Sequence, residues 1–189
     1  DTILSGNSLT GGTATSGVDY TSLPTFSNGV TYNTSTGLIT VPAGVTSFTV
    51  TVQSLQDTID EGVSETYNLT VGGVSAAGTI TDDDNAPTLT VSNQTVSEVA
   101  GNFAVYTLGL SNASSSAVTV GLSFANGTAT GGTGTTTGSS TDYGNNTRME
   151  VSTNGGVTWS AVGTNTATFA AGATSLLVRT YINENTGGT

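Results

Sequence analysis

The chain has 189 residues, a formal net charge of −11, no cysteine and no histidine, and its only cationic side chains are Arg148 and Arg179. That balance excludes nucleic acid as a partner, because nothing replaces the counterions around phosphate, and an anionic membrane surface would repel the chain. Absent histidine and cysteine remove the commonest general base, the thiol nucleophile and the thiolate zinc site, so no enzymatic activity is expected.

Hydrophobic residues make up 34% of the chain, and they fall in short alternating runs rather than at helical spacing. Taken in order, "TSFTVTV" sets Phe48, Val50 and Val52 on one face, and "TYNLTV" does the same with Tyr67, Leu69 and Val71. Further on, "AVYTLGL" offers Ala104, Tyr106, Leu108 and Leu110, and "VTVGLSF" offers Val118, Val120, Leu122 and Phe124. "TSLLVRTYI" closes the series with Leu176, Val178, Thr180 and Ile182. Threonine fills the outward positions, where a β-branched side chain suits a pleated surface. Asn-Gly at 28–29, 126–127 and 154–155 predicts hairpins. Such runs and turns predict antiparallel sandwiches.

The sequence repeats itself. "GTATSGVDY" (12–20) returns as "GTATGGTGTTTGSSTDY" (127–143), with Gly, Thr and Ser inserted before the Asp-Tyr. "SNGVTYNTSTGLITVPAGVTSFTVTV" (27–52) returns as "TNGGVTWSAVGTNTATFAAGATSLLVRT" (153–180), so Tyr32 answers Trp159 and Phe48 answers Leu176. Both aromatics are expected to cap their sandwiches at equivalent places. The expected fold class is all-β, as tandem immunoglobulin-like antiparallel β-sandwiches. Residues 1–84 are the C-terminal part of one sandwich and 85–189 a second lacking its last strands, divided at "DDDNAP". The chain reads as a segment of something longer. Strands missing from each copy come from truncation of a repeat array or from a neighbouring chain.

Seven of the thirteen acidic residues lie between 56 and 84: Asp57, Asp60, Glu61, Glu65, Asp82, Asp83 and Asp84. They flank an apolar alternating stretch, so an antiparallel hairpin there brings both clusters to one tip, where Asp19 of the "SGVDY" turn can join. Two like charges 4 Å apart repel by about 4 kcal/mol at an effective dielectric near 20. No lysine offsets this, whereas Ca²⁺ takes six to eight oxygen ligands in flexible geometry that suits loops. Mg²⁺ fits worse, since it demands a tight octahedron and keeps its waters.

"GTATSGVDY…PAGVTSFTVTV…QDTIDEGVSETYNLTV…GTITDDD" resembles the Calx-beta repeat, an immunoglobulin-like sandwich. The second copy, with "DYGNNTRMEVSTNGGVTW…FAAGATSLLVRT", is similar to the extender repeats of RTX-type bacterial adhesins. The resemblance implies calcium ligands at four places: an early Glu, the Asp of the Asp-Tyr turn, the acids of the "DD…E" turn and the terminal Asp run. Carried over, these are Asp19, Asp57, Glu61, Asp82, Asp83 and Asp84 in the first copy. The second copy offers Glu98 and Asp142, reads Glu184-Asn185 at the later turn, and has no terminal Asp run.

The expected function is therefore mechanical: extender repeats of a secreted or cell-surface bacterial adhesin or fibre, stiffened by calcium at domain junctions. Its partners are neighbouring repeats of the same or an identical chain, with no nucleic acid and no membrane insertion. Two alternatives stand beside it. One is a filament subunit joined by strand complementation. The other is a carbohydrate- or ice-binding module using Trp159 and the "GTATGGTGTTTG" run, for which surface glycans are the partner.

Overall fold

Runs in which every second residue is apolar bury one face of a strand and leave the other to water. The computed structural model describes residues 1–99, 101–133 and 140–184. Among these, regular structure is β apart from one short 3₁₀ turn, Asn146–Arg148. No helix among them is long and apolar enough to cross a membrane. The chain forms two compact units, Asp1–Asp84 and Asn85–Thr189.

The first unit contains β1 (Thr2–Leu4), β2 (Ser8–Gly11), β3 (Thr25–Phe26) and β4 (Thr31–Asn33). It continues with β5 (Leu38–Val41), β6 (Val50–Thr51), β7 (Glu65–Val71) and β8 (Val74–Ile80). They pair antiparallel in the orders β1–β5–β4, β2–β7–β8 and β3–β6. A Gly72–Gly73 turn joins β7 to β8 with φ of 59° and 80°, the left-handed pair that a two-residue hairpin needs. Val30, Ile39 and Val41 form the core, with Leu4, Phe26, Tyr32, Phe48 and Val71 packed against it.

The second unit contains β9 (Leu89–Val91), β10 (Phe103–Leu110), β11 (Val118–Gly121), β12 (Gly131–Gly132) and β13 (Tyr143–Gly144). After these come β14 (Glu150–Ser152), β15 (Ser160–Ala161), β16 (Thr166–Phe169) and β17 (Ser175–Tyr181). A five-stranded sheet in the order β15–β14–β17–β10–β9 faces the β11–β16 pair, and β12–β13 is a short parallel pair. Leu108, Met149, Phe169, Leu176 and Val178 are buried between them. Thr180 is buried too, its hydroxyl donating to Gly144 O at 2.5 Å.

Strand pairing follows the sequence repeat. β3 pairs with β6 as β14 pairs with β17, in a register one residue apart: Phe26 lies opposite Val50, whereas its counterpart Ser152 lies opposite Leu177. Val41 lies opposite Thr2, as Phe169 lies opposite Val118. Both units are antiparallel β-sandwiches in tandem.

Three local readings of the sequence need correction. "TSFTVTV" gives only two strand residues, because β6 has β3 on one side and no described strand on the other, whereas its counterpart β17 lies between β14 and β10. Neither Asn28-Gly29 nor Asn126-Gly127 makes a hairpin, the first joining β3 to β4, which lie in different sheets. The Asn126 side chain instead accepts from Gly131 N at 2.8 Å and from the Tyr143 hydroxyl at 2.9 Å, which consumes the residue as a clamp. Tyr32 and Trp159 also part company. Tyr32 packs on the core beside Phe26, while Trp159 lies over the Arg179 guanidinium at 4.2 Å.

Candidate metal centre

Asp19 closes a tight turn. Its carboxylate accepts a hydrogen bond from Thr15 N, and its carbonyl accepts one from Leu55 N at 2.8 Å. The side chain is thereby fixed and buried, at 6% exposure. Tyr20 beside it is 0% exposed and stacks on Tyr67 with ring centroids 5.0 Å apart. Tyr67 and Glu65 share one face of β7 because strand side chains alternate. This parity sends Glu65 inward. Carboxylate oxygens of Asp19, Glu61 and Glu65 converge within 4.8 Å of one another.

Around this triad the other acids divide by role. Asp82, just past β8, accepts from Glu61 N at 3.0 Å and Gly62 N at 2.9 Å through Oδ2, and from Asp84 N at 3.1 Å through Oδ1. It pins the Glu61-Gly62 turn to the end of the hairpin. Asp57 accepts from Ile59 N at 2.8 Å, and Asp83 accepts from the Gln56 amide at 2.8 Å. Asp57, Asp82, Asp83 and Asp84 line one cleft with Asp19 and Glu61.

The electrostatics follow from this crowding. Burial pushes the Glu65 carboxyl up to about 7, reinforced by the charges of Asp19 and Glu61, a hydrogen bond with Asp19 and the charge of Asp57. That bond exists only while one of the two acids is protonated. Glu65 Oε2 is buried without a hydrogen-bond partner. Glu61 is raised by burial and then by Asp19, Asp57, Asp82 and Asp84. Asp84 is raised by partial desolvation and by its neighbours Asp83 and Asp82. Asp82 moves the other way, because the N–H groups of Asp84, Gly62 and Glu61 favour its ionised form.

Neither arginine relieves the crowding. Arg179 pairs with Glu150 at 2.7 Å and Arg148 donates to Thr133 O, both within the second unit. An all-oxygen donor set with an orphaned buried oxygen fits a hard divalent cation, and its loop setting suits Ca²⁺.

Equivalent pieces occur in the second unit. Thr130, last residue of the second "GTAT", donates through N to Asp142 Oδ2 at 2.5 Å, as Thr15 of the first "GTAT" does to Asp19. Asn183 N donates to Asp142 O at 3.0 Å, matching Leu55 and Asp19. Glu98 and Asp142 line one cleft. Among the described residues no third acid joins them in a cluster like the first. By this register Glu184 stands where Gln56 stands. Asn185 answers Asp57 and lies outside the described residues, as does the 134–139 part of the Gly/Thr run.

The residue that sequence reasoning left out of the ligand set is Glu65. Its parity with Tyr67, Leu69 and Val71 was the available signal.

A family model described as the Calx-beta domain matches residues 24–77 and 82–139, together more than half of the chain. No curated protein and no solved structure matches it at a significant level.

Proposed function

The chain belongs to the Calx-beta domain family as two copies in tandem, and from that premise we propose that it is a calcium-stiffened structural repeat of a secreted or cell-surface bacterial protein. The Calx-beta domain is a non-catalytic module, and this chain builds length from thin β-sandwiches with small cores. Ca²⁺ is held by Asp19, Glu61 and Glu65, with Asp57, Asp82 and Asp84 beside them. The ion supplies the positive charge that the first unit lacks, and so orders the turn at 57–62 and the Asp82–Asp84 end of the unit. That end leads directly into the second unit in sequence, which is where stiffening serves an extender. Neighbouring repeats are its partners.

The observation that carries this reading is Glu65, whose Oε2 is buried without a hydrogen-bond partner and whose carboxylate has an oxygen within 4.8 Å of those of Asp19 and Glu61. Calcium titration by calorimetry tests it, with small-angle scattering in calcium and in chelator. Saturable binding that disappears in Glu65→Gln supports it. Absence of binding, with superimposable scattering profiles, removes it.

A further inference from the structure

The two copies share a core pattern but differ on one outward face. Leu176, Val178 and Thr180 are buried, so Leu177, Arg179 and Tyr181 of β17 point away from the core. At the matching positions the first unit exposes Thr49, Thr51 and Gln53. The fold therefore accepts small polar residues there, and the aromatic and cationic set of the second unit has another cause. β17 is bonded on both sides, to β14 and β10, so this set lies on a sheet face rather than at an open edge.

Arg179 is held firmly on that face. Its guanidinium carbon lies 3.9 Å from the centroid of Phe103 and 4.2 Å from that of Trp159, and Nε donates to Glu150 Oε2 at 2.7 Å. Trp159 is fixed in turn by its Nε1 bond to Gly156 O at 3.0 Å. Tyr181 lies against Phe103 with ring centroids 4.6 Å apart. Stacking uses the faces of the guanidinium and Glu150 uses Nε. Among the described residues Nη1 and Nη2 have no hydrogen-bond partner. The buried side-chain atoms without partners are Tyr20 Oη and Glu65 Oε2, so both Nη groups reach solvent. Stability accounts for the stacked faces but leaves this edge unused.

We propose that the Nη edge of Arg179, with the rings beside it, is a binding site for a carboxylated sugar, a uronic or sialic acid residue. The sugar carboxylate accepts from Nη1 and Nη2 together, in the fork geometry that a guanidinium presents. The C–H groups of the sugar ring carry partial positive charge and pack against the half-buried rings of Tyr181 and Trp159, whose faces are negative. A sugar hydroxyl donates to Glu150 Oε1, which has no hydrogen-bond partner among the described residues. Charge sets the size of the ligand: a chain at −11 repels a polyanion, whereas one pre-oriented guanidinium matches one carboxylate. A peptide finds no free main chain here, because strand addition needs an unpaired edge.

Trp159 is the single tryptophan of the chain, so its emission reports on this site. The full chain is titrated in chelator, which prevents calcium from bridging carboxylates, with glucuronate and with N-acetylneuraminate. Glucose, acetate and an acidic peptide are the comparisons. An acidic sugar gives a saturable change with a Kd roughly tenfold or more below that of any comparison, the worth of one charge-assisted pair. Arg179→Lys, shown by its melting curve to be folded, loses about tenfold because an ammonium has no fork. Tyr181→Gln, which places there the side chain that the first unit carries, also weakens binding. A response to one acidic sugar and not the other supports the proposal and names the source of the carboxylate. No saturable response to either, an equal response to glucose, acetate or the peptide, or full binding by folded Arg179→Lys overturns it.

Discussion

Carboxylate oxygens of Asp19 and Glu65 approach within 4.8 Å across two segments that are 46 positions apart in a chain whose first 84 residues hold no lysine or arginine. Thr15 N–H holds the first carboxylate, and the alternation of β7 carries the second inward. The scaffold thus forces together groups that repel, and the first prediction concerns that repulsion.

Asp19→Asn keeps an oxygen for Thr15 N–H and removes one charge from the triad. In chelator the first unit gains roughly 1 kcal/mol, a rise of about 4–8 °C in its thermal midpoint for a domain of this size. In calcium the variant loses at least tenfold in affinity, about 1.4 kcal/mol or more. Melting curves in both buffers check the two opposite signs together.

Glu65 sets the pH response. Its folded pKa of about 7 lies above the ordinary 4.5. Below pH 4.5 the group is protonated folded and unfolded, and nothing is lost. Between 4.5 and 7 the folded chain keeps a proton that the unfolded chain releases, so stability falls as pH rises; above 7 the loss is complete. Asp82 contributes oppositely, its stabilisation fading only as pH falls below the normal aspartate range. Glu65→Gln flattens the decline between pH 4.5 and 7 in chelator, measured by denaturant unfolding.

Calcium drives the same proton off. Near pH 6.5 binding releases about one proton, because a metal ligand must be ionised. Calorimetry in buffers of different ionisation enthalpy reads this number, which drops towards zero in Glu65→Gln.

Gly78→Ala tests the aromatic packing over β8. The added Cβ meets the Tyr67 ring at 2.2 Å, and overpacking of this kind costs about 1–3 kcal/mol. Chemical denaturation of the first unit measures it, and the Tyr67→Ala, Gly78→Ala double variant loses less than the sum of the two single losses.

Arg179 stabilises the second unit. Its guanidinium lies 3.9 Å from the Phe103 ring centroid and 4.2 Å from that of Trp159, with Glu150 bonded at 2.7 Å. Arg179→Met removes about 1–2 kcal/mol, and Arg179→Lys restores less than half, since an ammonium lacks the planar face that stacks. Thermal melts at low and high salt separate the stacking from the more screened ion pair.

The repeat, the strands and their faces were legible because strand alternation has a period of two and needs no long-range information. Val178 and Leu176 are buried, as their alternation implied. The convergence of acids at residues 57–65 and 82–84 followed from one local hairpin, Glu65 opposite Ile80. Asn126 misled because Asn-Gly marks a hairpin only where paired strands flank it, as β14 and β15 flank Asn154-Gly155; at Asn126 the side chain instead holds Gly131 N and the distant Tyr143 hydroxyl.

By itself the sequence determined an acidic, all-β tandem with more carboxylates at one tip than it has cations to balance. Only the tertiary structure decided which of those acids face one another. Asp82 and Asp83 were drawn off into hydrogen bonds with backbone and Gln56, while Glu65, at the start of β7, was turned inward to Asp19 and Glu61. The physical reason is that local pattern fixes the parity of a strand, whereas burial and hydrogen-bond partners depend on what packs against it from far along the chain.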